Sequence, residues 1–143
     1  MMTVRLDRFH DAQKYAYAEA LAEIRAGRKE THWMWFIFPQ LRGLVSSSMA
    51  EFYGIEGIDE ARAYWADDVL RGRLTEITEA LLALETNDPR RVMAPPDNMK
   101  LRSCMTLFRQ AAPECPLFQQ VLDKYYDGQP DRKTLDMLKG KQA

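Results

Sequence analysis

The sequence holds only two cysteines and two histidines in 143 residues. Cys104 and Cys115 do not form a CxxC pair, and two thiols make no disulfide framework for a chain this long. They read as reduced thiols of an intracellular protein. With so few soft ligands at such wide spacing, no metal-ligand pattern forms and no metal site is expected. No stretch is long and apolar enough to span a bilayer, since the strongest run covers only Trp33 to Phe38. The start, "MMTVRLDRFHDAQ", has no apolar signal-peptide core. The expected location is therefore the cytoplasm, without a membrane partner.

A basic excess is also missing. The formal net charge is −1, whereas a polyanion-binding protein carries a strong basic surplus. An extended nucleic-acid partner is thus not expected. The charge is unevenly spread, however. Residues 1–50 carry seven basic and five acidic side chains, residues 51–88 three and ten, and residues 89–143 ten and six. An acidic middle lies between two mildly basic ends, which leaves room for a small basic pocket. The phosphate-binding GxxxxGK[ST] and GxGxxG loops are absent, as are HExxH and GxSxG. No cofactor is expected.

Period-two alternation is scarce as well, and helical spacing dominates. A first helix is expected from Arg8 to Ala26, capped by Asp7 and closed by Gly27. A second helical zone covers 59–85, with a break near Asp67 and a stripe of Leu70, Leu74, Ile77, Leu81 and Leu84. "TNDP" ends it in a turn. Further helices are expected over Asn98–Ala111, with Asp97 as the cap, over Pro116–Tyr126, and as a short last element from Thr134 to Lys139. One of Ser46, Ser47 and Ser48 caps a short helix through Tyr53. These elements predict an all-α, single-domain bundle of about five to eight helices of mixed length with no significant sheet. The domain spans 6–138, and residues 139–143 form a flexible tail.

"HWMWFIFPQLRG" (32–43) stands apart, because its middle is apolar on every face. A strand suits its aromatics, but a lone strand has no partner for its backbone. A short buried helix from His32 to Phe36, capped by Thr31 and ended before Pro39, is the preferred reading.

Three groups of residues are candidates for chemistry. His32, Trp33 and Trp35 with Gln40 and Arg42 offer aromatic walls beside an amide and a guanidinium, a combination that holds a nucleobase or a phosphate. The plainer reading is a core plug with capping flanks. In "DNMKLRSCMTLF" (97–108), Lys100 and Ser103 share a helix face. A lysine near a helix N-terminus opposes the dipole, so an anion or a carboxylate must offset it. A solvated lysine or structural ion pair is the alternative. On the first helix, His10 and Gln13 with Tyr17 offer one imidazole for acid–base work, or simply a polar surface.

The stretches "LDRFHDAQ" (6–13), "HWMWFIFPQLRGL" (32–44), "EARAYW" (60–65), "DNMKLRSCMTLF" (97–108) and "DRKTLDML" (131–138) give the chain a resemblance to the bacterial family known as domain of unknown function 1810. The resemblance runs from about Leu6 to Leu138. Val45 stands where the family usually has glycine, and Trp65 where it often has leucine. The resemblance implies a compact, mostly helical fold. It places the family's characteristic polar positions at Gln13, His32, Gln40, Lys100 and Ser103.

The functional expectation is one pocket for a small anionic, nucleotide-like ligand. In it Lys100 supplies charge, Trp33 a stacking wall, Gln40 and Ser103 orienting hydrogen bonds, and His32 a proton-transfer group, with Gln13 and Arg42 as further ligand contacts. Hydrolysis at a glycosidic carbon is the reaction that would suit it. The competing expectation is a non-enzymatic interaction module that docks a partner on the acidic helical surface of 59–85, around Asp67, Glu76 and Glu79.

Overall fold

Helix α1 (Asp7–Arg25) carries the apolar stripe that the spacing predicts: Phe9, Ala20, Leu21 and Ile24 are buried. It ends where Gly27 takes a positive φ of 92°, a backbone state that a side chain would oppose. The computed structural model describes residues 5–142, with side chains through Gly140. Eight more helices follow: α2 (Met34–Ile37), α3 (Ser48–Tyr53), α4 (Ile58–Ala66), α5 (Asp68–Ala83), α6 (Pro89–Val92), α7 (Asp97–Ala111), α8 (Leu117–Tyr126) and α9 (Arg132–Gln142). Among the described residues there is no sheet, only an isolated parallel bridge between Leu41 and Ile55.

The all-α expectation holds, with nine helices among the described residues where five to eight were expected. The excess comes from short pieces. One is α6, where Pro89 sits in the first turn and Asp88 accepts a hydrogen bond from the Arg90 amide at 3.0 Å. Proline at a helix start gives up an amide that has no partner there anyway, so "NDP" opens a helix as well as closing one. The last helix also exceeds its expected span of 134–139. Its backbone runs to Gln142, while Ala143 of the expected tail lies outside the described residues.

Helix α7 is the central element. It packs against α4, α8 and α9, and buries Leu101, Cys104, Met105, Leu107 and Phe108. Burial pushes the Cys104 thiol well above its ordinary pKa, which suits a packing role rather than a reactive one. On the other side α1 packs against α5 and α2. Phe9 and Tyr64 meet edge to face at 5.1 Å, and Tyr64 in turn touches Phe108, so the rings link α1 through α4 to α7.

Local capping chemistry decides several boundaries. Ser47 caps α3 by accepting from the Ala50 amide at 3.1 Å. Asp67 breaks α4 from α5 as expected, accepting from the amides of Val69 and Leu70 at 3.1 and 3.0 Å. Its second oxygen lies 2.9 Å from His10 Nε2. Burial pushes the Asp67 carboxyl up, but the amides and His10 outweigh it and leave the pKa lowered. His10 is thereby accounted for as a tie between α1 and the α4–α5 joint.

Three expected caps are replaced. Asp7 lies inside α1, whose N-cap is Leu6. Asp97 lies inside α7, whose N-cap is Pro96. Thr31 caps nothing: α2 begins at Met34 after Trp33, and the Thr31 amide and hydroxyl both donate to Glu23. In the last two cases a tertiary partner competes for the polar group more effectively than the adjacent helix end.

One buried ion pair has no precedent in the sequence pattern. Arg8 and Glu60 are 4% and 5% exposed and lie 3.2 Å apart. Arg8 also donates to the Phe52 and Gly54 carbonyls at 2.8 and 3.0 Å. Glu60 accepts from the Glu56 amide at 2.8 Å. The pair thus fastens α1 and α4 to the 52–56 turn with most of its hydrogen-bonding capacity satisfied.

Candidate functional site

The aromatic stretch is held in place by one carboxylate of α1. Glu23 accepts from the amides of Glu30 and Thr31 at 2.6 and 3.0 Å, the Thr31 hydroxyl at 2.6 Å and the Trp33 indole at 2.9 Å. Burial raises the Glu23 carboxyl, but these four donors overcome that and lower its pKa to about 2. A carboxylate that accepts several N–H and O–H groups is stabilised in its charged form. The Lys29 amide adds a bond to the Val92 carbonyl at 2.7 Å. Together these contacts fix the 29–33 segment between α1, α6 and the start of α2.

The far end of α2 is fixed by Gln13. Its amide nitrogen donates to the Phe36 carbonyl at 2.8 Å and lies 3.0 Å from the Tyr64 hydroxyl, and its oxygen accepts from Arg73 at 3.3 Å. Gln13 is buried within this set and does not line the clefts described below. Arg42 is likewise placed elsewhere. Its guanidinium donates to the Glu51 carbonyl at 3.1 Å and pairs with Glu56. Both residues hold the mount, and neither lines the two clefts described below.

Two adjoining clefts open beside this mount, and Lys100 borders both. The first, about 310 Å³, is lined among others by Lys29, His32, Trp35, Met49, Asp97 and Lys100. The second, about 290 Å³, includes Gln40, Val45, Met99, Lys100, Ser103 and Asp131 in its wall. The Lys100 ammonium lies 3.9 Å from the Trp35 ring centre and 3.3 Å from Asp97 Oδ1. The other Asp97 oxygen holds Lys29 Nζ at 2.9 Å. The unfavourable dipole at Lys100 is thus offset by a carboxylate one helical turn earlier. Two lysines against one aspartate leave a surplus positive charge at the first cleft.

His32, Lys100, Gln40 and Ser103 therefore lie along one continuous surface, from two separate segments of the chain. His32 is exposed at the first cleft. Gln40 is 6% exposed, and its amide nitrogen has no hydrogen-bond partner among the described residues. The Ser103 hydroxyl lies 3.3 Å from the Met99 carbonyl and 3.2 Å from Asp131 Oδ2, so it orients Asp131 as much as it faces the cleft.

Trp33 also lines the first cleft, with the Lys29 ammonium 5.0 Å from its ring centre, but it is 2% exposed, packs on Phe38 and donates its indole N–H to Glu23, so it offers a ligand little surface for stacking. The half-buried ring at the cleft is that of Trp35. Sequence reasoning included Trp35 in the aromatic group but did not single it out, and it missed Lys29, Asp97 and Asp131. The Asp97–Lys100 spacing of three was a usable signal. The contribution of Lys29 was not, because its partner is 68 positions away.

Among the described residues, no group of three or more His, Cys, Asp or Glu side chains is arranged to hold a metal ion. No described helix is long and apolar enough to cross a membrane.

The chain is similar over most of its length to a solved structure, the crystal structure of the conserved hypothetical protein Rv1873 from Mycobacterium tuberculosis. The two are 46% identical, the match covers 94% of this chain and 96% of that one, and the TM-score is 0.92. No curated protein matches the chain. A family model described as "Protein of unknown function (DUF1810)" matches residues 3–138, and the chain belongs to that family.

Proposed function

We propose that the paired clefts around Lys100 bind a small anionic, nucleotide-like ligand. The observation that carries this reading is the position of Lys100, set on the face of Trp35 and bordering both clefts at once. A cation held over an indole is partly desolvated and presented in a fixed place. An anionic group reaching it leaves room on either side for the rest of a ligand. Trp35 supplies aromatic surface, and Gln40 an amide with unused hydrogen-bonding capacity. His32 is the exposed titratable group at the edge. If a reaction follows binding, hydrolysis at a glycosidic carbon is the one to assay, with His32 as the proton-transfer group.

The competing role for the acidic surface has less support. Asp67 is occupied with the α5 cap and His10. Glu76 accepts from the Tyr17 hydroxyl at 2.5 Å and lies 3.9 Å from Arg25. These carboxylates hold α1 to α5, and a partner would have to displace them.

The test is a thermal-shift series with nucleoside mono- and diphosphates at millimolar concentration. A ligand at 100 times its dissociation constant stabilises the fold by about 2.7 kcal/mol, a readily measured rise in Tm. A rise that disappears in Lys100→Ala supports the proposal. No rise with any nucleotide contradicts it.

A further inference from the structure

The second cleft contains a feature that an anion site alone does not call for. Asp131 lines it and is held firmly. Its amide donates to Thr106 Oγ1 at 2.8 Å. Its Oδ2 receives Ser103 Oγ at 3.2 Å, the Thr134 amide at 3.1 Å and the Thr134 hydroxyl at 2.5 Å. Its Oδ1 has no hydrogen bond to any described residue. The neighbouring Lys133 does not neutralise it, since the Lys133 ammonium is turned to the Leu44 carbonyl at 3.4 Å. A fixed carboxylate repels an anion. Its free oxygen offers an acceptor to any ligand that brings an N–H donor to it.

Gln40 supplies the complementary half. It lines the same wall and its amide nitrogen is buried without a partner, so a side-chain rotation that brings it to a ligand acceptor relieves a costly unmade bond. The rest of the wall holds Leu44, Val45, Pro96 and Met99, beside Lys100 and Lys133. Val45 and Met99 are 40% and 47% exposed, so the wall offers open apolar surface to a ligand. A flat body with an N–H donor and an acceptor on one edge matches such a wall.

We infer that this cleft receives a purine bearing an exocyclic amine. The amine donates to Asp131 Oδ1, a ring or carbonyl acceptor takes the Gln40 amide, and the phosphate lies across Lys100 in the first cleft near Lys29. Ser103 and Thr134 act as positioning residues by fixing Asp131. The inference rests on the nucleotide-like reading above and narrows it to one feature of the base.

Calorimetric titration of the full chain with AMP, GMP and purine riboside 5′-monophosphate tests it. The last has neither an exocyclic amine nor a ring N1–H, and so brings no N–H donor on its base. The expected result is that AMP or GMP binds at least tenfold more tightly than purine riboside 5′-monophosphate, since a site built for an N–H donor discriminates strongly against its loss. Asp131→Asn should reduce that ratio below threefold. Asparagine still caps α9 by accepting from Thr134, and an unchanged Tm confirms that the fold is intact. If purine riboside 5′-monophosphate binds within tenfold of both, or if the ratio survives Asp131→Asn, the assignment of the base is overturned. In that case binding that still depends on Lys100 leaves the anion site standing. If none of the three binds the unaltered chain, the nucleotide reading and this inference fall together.

Discussion

The ammonium of Lys100 lies 3.9 Å from the centre of the Trp35 ring. This contact joins the central helix α7 to the aromatic segment, and it sets a charged group between two clefts. A cation over an aromatic face at a partly exposed site is worth about 0.5–1 kcal/mol. Trp35→Ala should therefore lower stability by more than that, because the buried part of the ring is lost too, about 1–3 kcal/mol in all. Lys100→Ala should cost no more than about 1 kcal/mol while removing ligand binding. Urea unfolding of both variants checks the order. A Lys100→Ala loss exceeding that of Trp35→Ala would show that Lys100 is chiefly structural.

Glu23 makes a pH-dependent contribution whose sign follows from its lowered pKa. In the unfolded chain the carboxyl titrates near its ordinary value of 4.5, and in the folded chain at about 2. Its contribution is fully present above 4.5 and is lost as pH falls from there through 2. Glu23→Gln should destabilise the protein by about 1 kcal/mol at neutral pH, a modest figure because the carboxylate is partly solvated. The gap between variant and unaltered protein should shrink at pH 3. Unfolding curves at pH 7 and pH 3 make the comparison, and a gap that stays constant would count against the four-donor arrangement.

Arg8 and Glu60 are coupled by burial. Glu60→Leu leaves the guanidinium without its carboxylate and should cost about 3–5 kcal/mol. Replacing both, as Arg8→Met with Glu60→Leu, should cost less than the sum of the two single changes by at least about 1 kcal/mol. A double-mutant cycle in urea measures this. Additivity within about 0.5 kcal/mol would mean that the two groups do not depend on one another.

Gly54 is required for space. A Cβ there would lie 2.6 Å from the Ala50 carbonyl oxygen and 2.6 Å from Arg42 Cβ. Its φ of −60° is open to any residue, so the obstacle is contact and not conformation. Gly54→Ala should destabilise by about 1–3 kcal/mol, with Arg42 forced off its Glu56 and Glu51 partners. A thermal melt that matches the unaltered protein would contradict this close packing.

The parts of the fold that were legible in the sequence are those decided within a few residues. Asp67 and Ser47 cap the helices they precede, and Gly27 closes α1, because each acts on its own backbone. Thr31 and Asp97 look equally suited to capping, yet Glu23 and Lys29 claim them. Trp33 and Trp35 lie two apart in a stretch that is apolar on every face, so no periodicity tells them apart; Trp33 is buried by its Glu23 contact and its packing on Phe38, and Trp35 stays half-buried beside Lys100. Lys100 was legible from its opposed dipole. The roles of Lys29 and Asp131 were not, since both lie outside the helices and meet Asp97 and Ser103 across long separations in the sequence.

The most direct test of the paired-cleft account is the dissociation constant of AMP and GMP for the unaltered chain, Lys100→Ala and, as a charge-matched control, Arg62→Ala on the exposed side of α4. The account predicts saturable binding that weakens at least tenfold in Lys100→Ala and is unchanged in Arg62→Ala. Binding that is equally weakened by both variants, or that ignores Lys100, would contradict it.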